Sequence, residues 1–228
     1  MTKKRKRCKE LVMVLAAIAI GTGSFFVGGA AASSRYKSDQ EMNVMLNRSD
    51  LDGLGKITGT IYVTGHKCPD SDTVGSSIAY AHLLRELGYD AQPVVLGQIN
   101  NESKYILNAA GLETPMVLQK TAGCNMVLVD HSEYTQSAED LQSANIISII
   151  DHHADGTITT TGQLIYDARP LGSTATIIWI RYRNYGVTPD RQTAMVMMGS
   201  ILSDTKNLQS ENTTYADREA LKALSDLA

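Results

Sequence analysis

Four of the five histidines lie within four residues of an aspartate, in three short clusters that each follow an apolar run. The clusters are His66-Lys67-Cys68-Pro69-Asp70-Ser71-Asp72, Asp130-His131 and Asp151-His152-His153, and a further acid, Asp204, closes another apolar stretch. Neutral imidazole nitrogen with anionic carboxylate oxygen is the ligand set of hydrolytic dication sites. Asp70 and Asp72 are two apart, so on an extended loop their carboxylates can point toward different ions. Two dications about 3.5–4 Å apart clamp a transferring phosphoryl group and acidify a water between them. Such a pair needs one carboxylate that reaches both ions, and Asp130 is the candidate. Neighbouring side chains on a loop diverge, so His152 is read as a ligand and His153 as the group that faces a phosphate. Asp151 is better placed to hold a ring nitrogen than an ion. His131 is read beside Asp130 as a supporting group of the same kind and also on the substrate side, and Asp204 completes the coordination. The plainer reading of the first cluster, acids that cap a helix, loses weight when all the clusters are taken together. His82, within an amphipathic stretch, is read as a packing residue.

The elements that must position these groups alternate. Residues 59–64, 91–96, 126–129, 146–150 and 164–166 read as strands; 74–87, 101–110, 174–185, 191–202 and 215–227 read as helices, several stopped by glycine. The runs at 126–129 and 146–150 are continuously apolar, the pattern of strands buried on both faces. Strand alternating with helix predicts an α/β fold with a doubly wound, five-stranded parallel sheet. Ligands of such sheets gather beyond the C-terminal strand ends, and His66, Asp130 and Asp151 each fall just past one.

Six cations among the first ten residues precede a charge-free stretch, Leu11 to Ser34, that ends in small residues. That is the three-part pattern of an export signal, and the stretch is also about long enough to anchor in a bilayer. Residues 1–34 are therefore read as a signal peptide or membrane anchor, 35–56 as a polar tether with one short helix, and 57–228 as the catalytic domain, exported, secreted or membrane-tethered, or cytoplasmic should the leader not function. Were the leader removed after Ala32, fifteen basic residues would face twenty-three acidic ones, a net charge of −8. An acidic body argues against nucleic acid as a partner, since phosphate backbones need a basic footprint. Cys68 and Cys124 fall at opposite ends of the predicted sheet, about 15–20 Å apart at ~3.3 Å per residue, too far for a disulfide.

The segments GHKCPDSD, VDHSE, IIDHH and ILSDT, in this order and spacing, resemble the DHH phosphoesterases. Within that superfamily the chain is most similar to the manganese-dependent family II inorganic pyrophosphatases, on SSIAYAHLLRELGYDAQPVVLGQINNESKYIL and RPLGSTATIIW. The resemblance runs from about Ile57 to the C-terminus. It implies two Mn²⁺ ions (Co²⁺ or Mg²⁺ as substitutes), with His66 and Asp70 on one, Asp72 and His152 on the other, Asp130 between them and Asp204 as a further ligand. It implies His153 on the phosphate, inorganic pyrophosphate as substrate, two phosphates as products, and a homodimer paired through a sheet edge. It also implies a C-terminal DHHA2-type domain whose basic Ser-Arg-Lys-Lys-type segment closes over the substrate. These residues hold no such segment, so the expectation is metal binding with weak hydrolysis unless a complementing chain supplies it. Cys68 and Ser132 stand where the family usually has asparagine, and a thiolate at Cys68 would favour softer metals. Two other readings stay open: a DHH phosphodiesterase acting on short or cyclic dinucleotides, and a non-catalytic metal- or phosphate-binding remnant.

Overall fold

A computed structural model describes residues 28–52 and 57–228. Most of the leader lies outside the described residues; among those described, no helix is long and apolar enough to cross a membrane. Residues Asn43–Ala228 form one compact unit, and the site lies wholly within it.

The strands are β1 (Ile61–Thr64), β2 (Ala91–Val95), β3 (Met116–Val117), β4 (Asn125–Val129), β5 (Asn145–Asp151) and β6 (Ile165–Ala168). All pair in parallel, in the order β3-β2-β1-β4-β5-β6. The sheet has six strands where the sequence predicts five. The extra one, β3, is two exposed residues long and carries no alternation that could announce it. From β1 the chain winds outward to β3, then returns to β1's other side as β4. The loops after β1 and β4 therefore open side by side where the winding direction reverses, the place at which α/β sheets bind ligands.

Both faces of β4 are covered, which explains its unbroken apolar run. Met126 and Leu128 pack with Leu141 and Ile149 on one side, while Val127 and Val129 join Val63, Ile150 and Ile177 on the other. The helices are α1 (Gly28–Asp52), α2 (Ser71–Glu86), α3 (Asn101–Ala110), α4 (Thr174–Asn184), α5 (Arg191–Asp204) and α6 (Tyr215–Ser225). Helix α1 has 25 residues, far more than the short helix expected there. Its later turns leave Met45 and Leu46 exposed and bury Leu51, so no apolar period marks its length. Arg48 fixes that end by donating from Nε and Nη2 to the Tyr185 carbonyl at 2.9 and 2.6 Å.

One close helix contact sets the site. At Gly75 of α2, an added Cβ would overlap Ser200 Oγ and lie 2.9 Å from the Val196 carbonyl oxygen of α5. Glycine there lets the backbones approach, and Ser200 Oγ donates to the Ser71 carbonyl at 3.0 Å. The C-terminus of α5 is thereby laid beside the N-terminus of α2. Cys68 and Cys124 are free thiols. His82 packs as expected, its Nδ1 2.8 Å from the Tyr182 hydroxyl, which itself donates to the Ala79 carbonyl.

Candidate metal centre

The ends of β1, β4, β5 and α5 and the start of α2 contribute the parts. Asp70 is the N-cap of α2, and its Oδ1 accepts from the Thr73 backbone N–H at 2.9 Å. The second oxygen, Oδ2, stays free for the centre, 3.3 Å from His66 Nε2. The capping and ligating readings of this acid thus hold together, one on each oxygen.

Asp72, in the first turn of α2, is fully buried. Its Oδ1 accepts from Ser76 Oγ (3.0 Å), Ser173 Oγ (2.8 Å) and the Ala175 N–H (3.1 Å); its Oδ2 accepts from the Thr174 N–H (2.6 Å). The carboxylate thus sits on the open N–H groups at the start of α4, where the helix dipole favours an anion. Oδ2 also lies 4.0 Å from His152 Nε2.

Asp130 follows β4 with φ 63°, in the left-handed region. Aspartate tolerates that region better than most residues, at a cost of about 1–2 kcal/mol. The turn aims a buried carboxylate across the sheet edge. Thr174 Oγ1 donates to its Oδ1 at 3.1 Å and Thr73 Oγ1 to its Oδ2 at 2.8 Å. Oδ2 lies 3.6 Å from His66 Nε2, and Oδ1 lies 3.4 Å from His152 Nε2. One carboxylate therefore faces two imidazoles, one through each oxygen.

His152 has only one tautomer compatible with its surroundings as a neutral ring. Nδ1 is 3.0 Å from the Leu171 carbonyl and must donate to it, which leaves the lone pair on Nε2. That atom is buried and makes no hydrogen bond, although Asp204 Oδ2 is 3.3 Å away and Asp130 Oδ1 3.4 Å. It points between carboxylates. Burial alone would push this imidazolium's pKa down, but Asp130, Asp204 and Asp72 hold it up to about 12. Burial likewise opposes protonation of His66, and Asp70, Asp130 and Asp204 outweigh it. The acids repel one another: burial, then Asp130 and Asp204, drive Asp72 well above the carboxylate range, and burial with Asp130 and Asp70 raises Asp204. Four carboxylates crowd two imidazoles, an excess of negative charge that dications would balance.

Ligand atoms within 4.8 Å of one another form the sets His66, Asp70, Asp130 and Asp72, Asp130, His152, Asp204, which share Asp130. A third set joins Asp130, His152 and His153. All six residues read from the sequence as ligands are brought together. The orphaned Nε2, the mixed nitrogen and oxygen donors and the shared carboxylate fit a pair of divalent ions.

His153 is more exposed, and Asp151 Oδ1 accepts from its Nδ1 at 2.9 Å and from its backbone N–H at 3.1 Å. That contact raises the imidazole's pKa and, against burial, lowers that of Asp151. With Nδ1 engaged, the rest of the ring borders a cavity of about 360 Å³ lined by His66, Lys67, Cys68, Thr135, Gln136 and His153. His131 does not take the substrate-facing place expected of it. It is buried, with Nδ1 donating to the Val129 carbonyl (3.0 Å) and Nε2 paired with the Ser137 hydroxyl (2.9 Å). Burial, partly opposed by the Val129 contact, lowers the ring's pKa. It braces the turn at Asp130 from behind. Of the basic residues near the site, Arg169 is committed to Asp167 through two hydrogen bonds at 2.6 and 3.0 Å.

Sequence reasoning missed Thr73 and Thr174, the two hydroxyls that fix Asp130. A threonine in a first helical turn reads as a capping residue, and nothing in its spacing points to an acid 57 or 44 residues away.

Residues 60–201 match the DHH family, N-terminal domain. A probable manganese-dependent inorganic pyrophosphatase of Lactobacillus gasseri is 40% identical over 169 residues, 73% of this chain and 54% of that relative. The manganese-dependent inorganic pyrophosphatase of Methanothrix thermoacetophila is 40% identical over 168 residues, with the same coverage of 73% and 54%. A Methanococcus jannaschii protein assigned to the family II inorganic pyrophosphatases superposes with a TM-score of 0.69 at 38% identity, covering 74% of this chain and 56% of that one. An exopolyphosphatase-related protein of Bacteroides fragilis, 13% identical with a TM-score of 0.63, shares the fold. The chain spans about half the length of the curated relatives it matches.

Proposed function

Because this chain belongs to the DHH family, we propose that it holds two Mn²⁺ ions and hydrolyses inorganic pyrophosphate to two phosphates. His66, Asp70 and Asp130 would hold one ion, and Asp72, Asp130, His152 and Asp204 the other. The observation that carries this reading is the buried, unpartnered Nε2 of His152 among three carboxylates, one of which also faces His66. A bound dication pair supplies charge neutralisation at the transferring phosphoryl group and a water acidified to near neutral pH.

The chain's own residues do the rest. Leu171 and Asp151 lock the two neighbouring imidazoles in different directions, so that His152 serves the metals and His153 the cavity. Asp151 holds Nδ1 of His153 and raises the ring's pKa, which favours donation from its other nitrogen to a phosphate oxygen, and Lys67 on the same cavity wall adds positive charge. The cavity has room for a small dianionic group beside His66.

The test is phosphate release from pyrophosphate by the full 228-residue chain with Mn²⁺, Co²⁺ or Mg²⁺. Cleavage of a short or cyclic dinucleotide with pyrophosphate left intact would favour the phosphodiesterase reading. Uptake of two Mn²⁺ without cleavage of either would favour the non-catalytic one. The basic start and apolar stretch of the leader support an exported or membrane-tethered domain, which fractionation of cells checks. The sheet's outer strands, β3 and β6, offer two edges for a homodimer, which sedimentation checks.

A further inference from the structure

We propose that Glu102 is a positioning residue for the metal pair, an inference that rests on the dinuclear reading above. Glu102 lies in the first turn of α3, outside the ligand cluster. Its Oε2 accepts two hydrogen bonds, from Ser71 Oγ at 2.7 Å and from Ser203 Oγ at 2.7 Å. The donors are the immediate neighbours of ligands: Ser71 stands between Asp70 and Asp72, and Ser203 directly precedes Asp204. One carboxylate oxygen therefore ties the start of α2 to the end of α5. Hydroxyl donors to a carboxylate are short and about twice as strong as neutral pairs, which suits them to fixing a distance. The separation they fix is that between Asp204 and the Asp70–Asp72 turn, on which the sharing of ions depends. The bond from Ser200 Oγ to the Ser71 carbonyl holds the same two helices one turn further back. Two residues beyond Asp204 the backbone turns left-handed at Lys206, Asn207 and Leu208, so Asp204 stands at the last regular turn of α5.

The experiment titrates Mn²⁺ into the full chain and into Glu102→Ala, Glu102→Gln and Ser203→Ala, following uptake by calorimetry and the exchange-coupled signal of a neighbouring Mn²⁺ pair by electron paramagnetic resonance. Loss of a partner that orients a metal ligand weakens affinity by about 10–100-fold. The low end, about tenfold, is expected for Glu102→Ala because Glu102 is solvent-exposed, with loss of the coupled signal at limiting Mn²⁺. Ser203→Ala should reproduce part of that loss, and Glu102→Gln, which keeps a carbonyl acceptor, should recover most of the affinity. Metal-free thermal melting separates packing from positioning. A Glu102→Ala protein that melts lower yet takes up both ions with native affinity and an unchanged coupled signal overturns the proposal. If the unmodified chain takes up no Mn²⁺ pair, the dinuclear reading falls and this inference with it.

Discussion

Gly75→Ala sets two effects of opposite sign against each other inside one helix. Alanine is the better helix former by about 0.8–1.0 kcal/mol, so helix propensity alone predicts a more stable protein. The packing predicts the reverse. The new Cβ would overlap Ser200 Oγ and lie 2.9 Å from the Val196 carbonyl oxygen, roughly half an ångström inside ordinary contact. Ser200 can rotate away, at the loss of its 3.0 Å bond to the Ser71 carbonyl, worth about 1 kcal/mol. The Val196 carbonyl is backbone and cannot rotate, so α5 must retreat, and overpacking of this kind costs about 1–3 kcal/mol. The net expectation is a loss of about 1–3 kcal/mol. At about 2–4 °C per kcal/mol for a chain of this size, the melting temperature should fall by roughly 2–12 °C without metal. The retreat also carries Asp204 away from Asp72, so Mn²⁺ should restore less of the stability than it adds to the unmodified chain. Scanning calorimetry with and without Mn²⁺ reads both. A variant that melts at or above the native temperature would show that the α2–α5 contact does not set the site.

With Mn²⁺ at a hundred times Kd, each ion should contribute about 2.7 kcal/mol, or roughly 10–20 °C for two; Asp130→Asn should cut that rise below the single-ion value, because both ligand sets share this residue. Mn²⁺ uptake should release protons: His152 is held up to about 12 against an ordinary 6.5, and an imidazolium cannot ligate. In the metal-free chain the stability from this proton is complete below pH 6.5 and is lost as pH rises toward 12, so Mn²⁺ affinity should climb between pH 6 and 8. Calorimetry in two buffers of different ionisation enthalpy counts the protons, and a count of zero refutes the assignment. His153→Ala should lower phosphate release by about a hundredfold or more while Mn²⁺ affinity, read by titration, stays within a few-fold of native.

The ligands were legible because their chemistry is rare and their places are regular. Apolar runs predicted β1, β4 and β5, and His66, Asp130 and Asp151 follow them, so pattern and chemistry pointed to one edge. What was illegible depends on contacts between distant segments. The hydroxyls of Thr73 and Thr174 meet only because α2 and α4 begin at the same spot, and the hydrogen bonds of Asp72 to the start of α4 span 101 to 103 residues. Of the two places read for His131, support beside Asp130 and contact with substrate, burial leaves the first. Strand β3 and the described side chains of helix α1 escaped for a related reason: most of their apolar side chains are exposed, so neither carries the period that burial imposes.

The φ of 63° at Asp130 narrows what this position can accept under selection. A library sorted for folding alone would keep glycine, asparagine and aspartate, the residues that enter the left-handed region most readily. A library sorted for cation capture alone would keep aspartate and glutamate. The two filters overlap in a single amino acid, so no sequence of one-step neutral exchanges leads away from it. Retaining the metals while replacing this residue would require rebuilding the turn and the carboxylate together.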